Sequence, residues 1–116
     1  MGKRDHMPTR IRFHWELDVY KLSIEAGMAI FEATKGFPRE ETYSLTDQIR
    51  RSSRSVSGQI AEGWRRRKYE AAETQTWLEY SVCCGYLAAK EGRELHRLYD
   101  RVMGKLTIMG NRPDQW

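Results

Sequence analysis

Residues 44–64 read SLTDQIRRSSRSVSGQIAEGW. Leu45, Ile49, Ser52, Val56, Ile60 and Gly63 recur there at steps of three and four, which places them on one face of a helix. Arg50, Arg51 and Arg54 fall on the opposite face, and Arg65 follows just beyond. The opening Ser44-Leu45-Thr46-Asp47 has the form of a capping box with a shorter acid at its last position. The spacing therefore predicts an amphipathic helix over 44–64.

Working outward, residues 16–35 read as a preceding helix, stopped by Lys35-Gly36-Phe37-Pro38. Gly36 suits a left-handed cap there, and Pro38 cannot continue a helix. Downstream, Arg65 to Tyr69 reads as a basic connection. A third helix over 69–84 carries Ala71, Thr74, Trp77, Leu78, Ser81 and Cys84 on one side and ends at Gly85. A fourth, over 88–109, turns Leu95, Leu98, Val102, Leu106 and Met109 inward, and Gly110-Asn111-Arg112-Pro113 closes it. There is no sustained period-two alternation and no Asn-Gly hairpin turn, so no strand is expected. Four amphipathic helices joined by short loops make an all-α, antiparallel up-down-up-down four-helix bundle over 13–113. Residues 1–12 are expected to be a flexible N-terminal segment, where His6-Met7 suits a tag scar, and 114–116 a C-terminal tail.

The chain has 116 residues, 40% hydrophobic and 31% charged, which suits one folded domain rather than a disordered chain. No apolar run reaches the roughly 18 residues of a membrane span, and Met1 to Arg12 lacks the apolar stretch of a secretory signal. Cys83 and Cys84 are adjacent, and neighbouring residues rarely bridge because the ring is strained. Reduced thiols in a cytoplasm follow.

The first helix has two apolar faces. One is Leu17, Tyr20, Ile24, Met28 and Phe31; the other is Val19, Leu22, Ala26, Ala29 and Ala33. Between them runs an acidic line, Asp18, Glu25 and Glu32. A helix of a lone bundle needs one stripe. The first face is assigned to the core, and Val19, Leu22, Ala26 and Ala29, flanked by Asp18, Glu25 and Glu32, to a contact with another subunit. The bland alternative is that the alanines are surface helix formers.

The formal charge is +4. Arg50, Arg51, Arg54 and Arg65, then Arg66, Arg67 and Lys68, cluster along and after the second helix. Lys90, Arg93, Arg97, Arg101 and Lys105 make a second stripe on the fourth. The planar guanidinium fork suits phosphate, and no base-reading motif accompanies it, so backbone binding to RNA or DNA is one expectation. A solvated face, or arginines satisfied by Asp47, Glu62, Glu94 and the acidic line, is the other. Trp64 beside Arg65 suits base stacking. Most of the other aromatics sit at helical spacing with aliphatics and read as packing.

Catalytic chemistry finds no foothold. His14 and His96 lack an E-x-x-H partner, and Cys83-Cys84 lacks C-x-x-C spacing, so neither a metal nor a cofactor is expected. The serines from Ser52 to Ser57 have no base or oxyanion motif beside them, and no glycine-rich phosphate loop occurs. Glu62 and Glu91 are isolated inward candidates.

A further set of residues carries a resemblance. Leu17-Asp18-Val19-Tyr20, Phe37-Pro38, Tyr43-Ser44-Leu45-Thr46, Gln48-Ile49-Arg50-Arg51-Ser52, Ser55-Val56 and Ile60-Ala61-Glu62-Gly63 resemble the four helix bundle protein family, which includes proteins encoded in intervening sequences of bacterial large-subunit rRNA genes. Glu73 to Glu79 and Cys84-Gly85-Tyr86-Leu87 look like one branch of it, while Gln59 stands where the family commonly has Asn. The resemblance implies a left-handed bundle assembling into a ring-like homopentamer, without enzymatic activity. A similar pentameric bundle, the accessory protein of diversity-generating retroelements, binds nucleic acid and a reverse transcriptase. The implied partners are thus further copies of the chain, RNA or DNA, and a reverse-transcriptase-like protein. A purely structural or protein-interaction scaffold stays open beside them.

Overall fold

The long apolar periodicities all become helices in a computed structural model of the chain, which describes residues 14–58 and 63–110. These are α1 (His14–Ala33), α2 (Leu45–Gly58), α3 (Gly63–Cys83) and α4 (Ala89–Gly110), with short 3-10 turns at Thr34–Gly36 and Arg39–Glu41 between α1 and α2. No strand occurs among the described residues. α1 packs on α2 and α4, and α3 packs on the same two helices, so the four close around one core with α2 and α4 at diagonal corners.

Local chemistry explains the ends. Gly85 takes φ 81°, and the Tyr86 N–H donates to the Ser81 carbonyl while the Gly85 N–H donates to that of Val82. This left-handed glycine cap ends α3 as its sequence predicts. Gly36 does something else. It completes a 3-10 turn, and the chain leaves through an extended Phe37 whose N–H donates to Thr34. The start of α2 also departs from the expected capping box. Glu41 reaches forward to accept from the Ser44 hydroxyl and the Leu45 N–H, while Asp47 turns to Arg51 instead. An acid three or four residues upstream does the capping, where its charge also meets the positive end of the helix.

The largest correction concerns α1. Val19, Leu22, Ala26 and Ile30 are buried in the chain's own core, with Ala29 and Ala33 packed beside them. The face expected to point inward is the outer one: Ile24 is 42% and Met28 53% exposed. Small size decides which stripe wins. Ser23 and Gly27 flank the buried stripe, and a Cβ at Gly27 would stand 3.8 Å from the Ser53 carbonyl, so small residues set α1 against α2 beside that stripe. Burying each larger aliphatic contributes about 1.5–3 kcal/mol, but only where the backbones come near enough to exclude water.

The other helices bury most of what their spacing predicts: Leu45, Ile49, Ser52 and Val56 on α2, Ala71, Thr74, Leu78 and Ser81 on α3, and Leu95, Val102 and Leu106 on α4; Trp77 and Leu98 are only half-buried, and Tyr99, not expected inward, is fully buried. One polar bond crosses the core between helices, from Thr74 Oγ1 to Ser52 Oγ at 2.8 Å. Cys84, expected inward, is exposed, as are Cys83 and Glu91. Expectations for residues 1–12, Gln59, Ile60, Glu62, Pro113 and 114–116, and for the side chains of Trp64 and Met109, lie outside the described residues.

Candidate nucleic-acid interface

The predicted basic residues fall into three groups. The first is tied into the fold. Arg50 lies between α1 and α2, its Nε donating to Thr34 Oγ1 at 2.8 Å and its plane 4.8 Å from the centre of the Phe31 ring. Lys35 covers the same ring at 5.0 Å. Arg50 also sits 3.5 Å from the Phe31 carbonyl, one of the last acceptors of α1. Helix ends leave such carbonyls short of partners, so this arginine braces a helix terminus.

Arg67 is the second case and a correction. It was expected in an exposed basic connection, but α3 begins at Gly63, and Arg67 lies within the first turns of that helix. Its side chain is 1% exposed and its Nε donates to the Val56 carbonyl at 2.9 Å. Val56 stands near the C-terminus of α2, where carbonyls again lack helical partners. The cation also matches the negative end of that helix. Arg67 is therefore a pin between α2 and α3, and no polyanion reaches it.

The third group faces solvent. Arg51, Arg54, Arg65, Arg66, Arg93, Arg97 and Arg101 are exposed, and Lys68 is half-buried. Arg66 pairs with Glu70 at 3.1 Å, and Arg51 stands 4.0 Å from Asp47. Among the described residues no ion pair holds Arg54, Arg93, Arg97 or Arg101. Arg93, Arg97 and Arg101 repeat every four residues, so they climb one side of α4 at about 6 Å per step. Because α2 and α4 occupy diagonal corners, the two rows face different sides and do not converge within one chain.

The acidic line of α1 is partly engaged by lysine. Asp18 pairs with Lys105 of α4, and Glu32 with Lys35. The exposed Ile24, Met28 and part of Phe31 line a groove with Arg54 and Ser57 across from them, about 300 Å³ in volume. Sequence reasoning assigned this stripe to the core. Both stripes of α1 have equal apolar character, and the signal separating them, Ser23 and Gly27 beside the buried one, lies in residue size.

Over residues 15–108 the sequence matches the family model of the 23S rRNA-intervening sequence protein. The chain belongs to that family. The matched stretch runs through all four helices, so it includes both arginine rows and the outer stripe of α1. No curated protein matches the chain. Among the described residues of this intervening-sequence protein, no three His, Cys, Asp or Glu side chains gather as a metal site requires. Nor is any described helix long and apolar enough to cross a membrane.

Proposed function

We propose that this intervening-sequence protein is a non-enzymatic, homo-oligomeric helical bundle that binds nucleic-acid backbone through exposed arginines, as an accessory to a larger enzyme of reverse-transcriptase type. The observation that carries the nucleic-acid reading is the row Arg93, Arg97 and Arg101, exposed and without carboxylate partners among the described residues. Leaving three guanidinium groups in water on one helix face does nothing for the fold, whereas each phosphate met releases counterions. Arg54 and Arg65 belong to the same proposed contact, and Arg50 and Arg67 do not.

The proposed arrangement is an up-down-up-down left-handed bundle. Contacts such as Ser52 with Thr74 and Val56 with Arg67 support it, since the later residue of α2 meets the earlier residue of α3. The proposed subunit contact is the stripe Ile24, Met28 and Phe31. It is bordered by Glu25 and Glu32 on one side and by Arg54 on the other, so a second copy offers it both apolar surface and opposite charge. Five subunits is the number the family resemblance implies. Two free, exposed cysteines suit a reducing cytoplasm.

Labelled single-stranded and duplex RNA and DNA, titrated at low and moderate salt, test the binding. Replacing Arg93, Arg97 and Arg101 together by alanine should weaken it and flatten the log–log salt slope by about two to three. No binding to any of these probes at low salt refutes the reading. The second reading, a scaffold without nucleic acid, draws on the exposed Ile24 and Met28 alone. A native mass measurement that returns a monomer refutes self-association in both.

A further inference from the structure

We propose that the groove between the first turn of α2 and the last two turns of α3 binds an organic cation, an alkylammonium or guanidinium group. The groove holds about 400 Å³ and is lined by three aromatic side chains, Tyr43, Trp77 and Tyr80, together with Glu41, Gln48 and Cys84. Trp77 and Tyr80 form one wall, their ring centres 5.9 Å apart and tilted by 38°. Tyr43 is 93% and Tyr80 55% exposed, so neither ring is used up in the core. Aromatic faces carry partial negative charge and attract cations set over them.

The groove's electrostatics point the same way. Glu41 brings a fixed negative charge, because its Oε1 accepts from Ser44 at 2.5 Å and from the Leu45 N–H at 3.2 Å, and its Oε2 from the Tyr86 hydroxyl at 2.8 Å. Those bonds, from Ser44 first, hold its carboxyl below the usual glutamate range. None of the described lining residues is Lys or Arg. The groove between α1 and α2 contains Arg54, and that between α3 and α4 contains Arg93 and His96. On a chain of formal charge +4, a groove of aromatics and one carboxylate without a basic side chain selects against anions. A nucleotide also stacks on aromatics, but its phosphate would meet Glu41 here and no guanidinium.

The two adjacent cysteines provide a built-in comparison. Cys84 lines this groove, whereas Cys83 lines the one beside Arg93 and His96. Both are free and exposed, so Cys83→Ser and Cys84→Ser each leave one reporter thiol in a folded chain. Each variant is treated with a methanethiosulfonate reagent bearing trimethylammonium and with its sulfonate counterpart. The cation-to-anion rate ratio should be at least about fivefold higher at Cys84 than at Cys83. Tyr80→Ala and Tyr43→Ala, both at exposed positions, should each cut that excess by about twofold. Equal ratios at the two thiols, or an excess that Tyr80→Ala leaves unchanged, overturn the proposal. Choline and a short peptide carrying one trimethyllysine are then added as competitors at matched ionic strength. Protection of Cys84 by the peptide at lower concentration than choline assigns the site to a protein-borne cation. Equal protection assigns it to a free one, and protection by neither overturns the proposal.

Discussion

Two glycines of α4 answer the same substitution in opposite directions. Glycine inside a helix costs roughly 0.5–1 kcal/mol relative to alanine through backbone entropy, so Gly→Ala there normally stabilises. At Gly104 nothing beyond its chain neighbours and the helix's own backbone lies within 4 Å of the position a Cβ would take, and Gly104→Ala should gain about that amount. At Gly92 the same Cβ would stand 2.4 Å from Val82 Cγ2 and 3.8 Å from its Cβ. Valine in a helix has one strongly preferred rotamer, so Val82 cannot swing its methyl aside cheaply. It also packs against the core, so the helices would have to part. Overpacking of this kind costs about 1–3 kcal/mol, which exceeds the entropy gain. The net expectation is a loss on the order of 1 kcal/mol for Gly92→Ala, or about 4–8 °C in Tm for a domain of this size. Urea unfolding of both variants, and of Val82→Ala with and without Gly92→Ala, measures it. The cycle should show a coupling of about 1 kcal/mol or more, because Val82→Ala removes the obstacle. If Gly92→Ala stabilises as much as Gly104→Ala, the packing of α3 on α4 described above is wrong at that point.

Other perturbations separate the structural from the solvent-facing groups. Arg67→Met should lower stability by about 1–3 kcal/mol, because the buried Val56 carbonyl loses its donor, whereas Arg97→Ala should leave denaturant midpoints in place. Met28→Asp should reduce the mass seen by light scattering while circular dichroism and unfolding stay near wild type, since Met28 is 53% exposed. The bond between Tyr86 and Glu41 makes stability depend on pH at both ends. Glu41 titrates lower in the folded state, held there first by its bond from Ser44, so its contribution is complete above its ordinary value of 4.5 and fades as pH falls through the folded one. Tyr86, whose bond to Glu41 pushes its phenol up to about 12, contributes fully below its ordinary value of 10.0 and loses that as pH rises toward 12. Tyr86→Phe should flatten both limbs in pH-dependent urea titrations; an unchanged alkaline limb would count against the bond.

The inward faces of α2, α3 and α4 were legible because each has one apolar stripe and a charged back. On α2 and α4 the pairs Ile49–Val56 and Leu95–Val102 fix the buried face by their seven-residue spacing. α1 was misread since Ile24 and Met28 are as apolar as Val19 and Leu22, so periodicity has nothing to choose between. What separates them is how α1 lies against α2 beside Gly27, a tertiary fact. The arginines split for a similar reason. Arg50, Arg66 and Arg67 look alike along the chain, yet Arg67 alone is drawn inside, because the end of α2 beside it leaves the Val56 carbonyl to be satisfied. The groove at Tyr43 and Tyr80 was invisible, as its walls come from residues more than 30 positions apart, Tyr43 and Trp77 among them.

The diagonal placement of α2 and α4 gives a single chain two cationic sides that face away from each other. A polyanion lying along Arg93, Arg97 and Arg101 leaves Arg51 and Arg54 pointing at the next strand. If the proposed backbone binding holds, geometry of that sort makes a cross-linker rather than a clamp. With long strands it favours networks near charge balance, and these dissolve when either component is in excess.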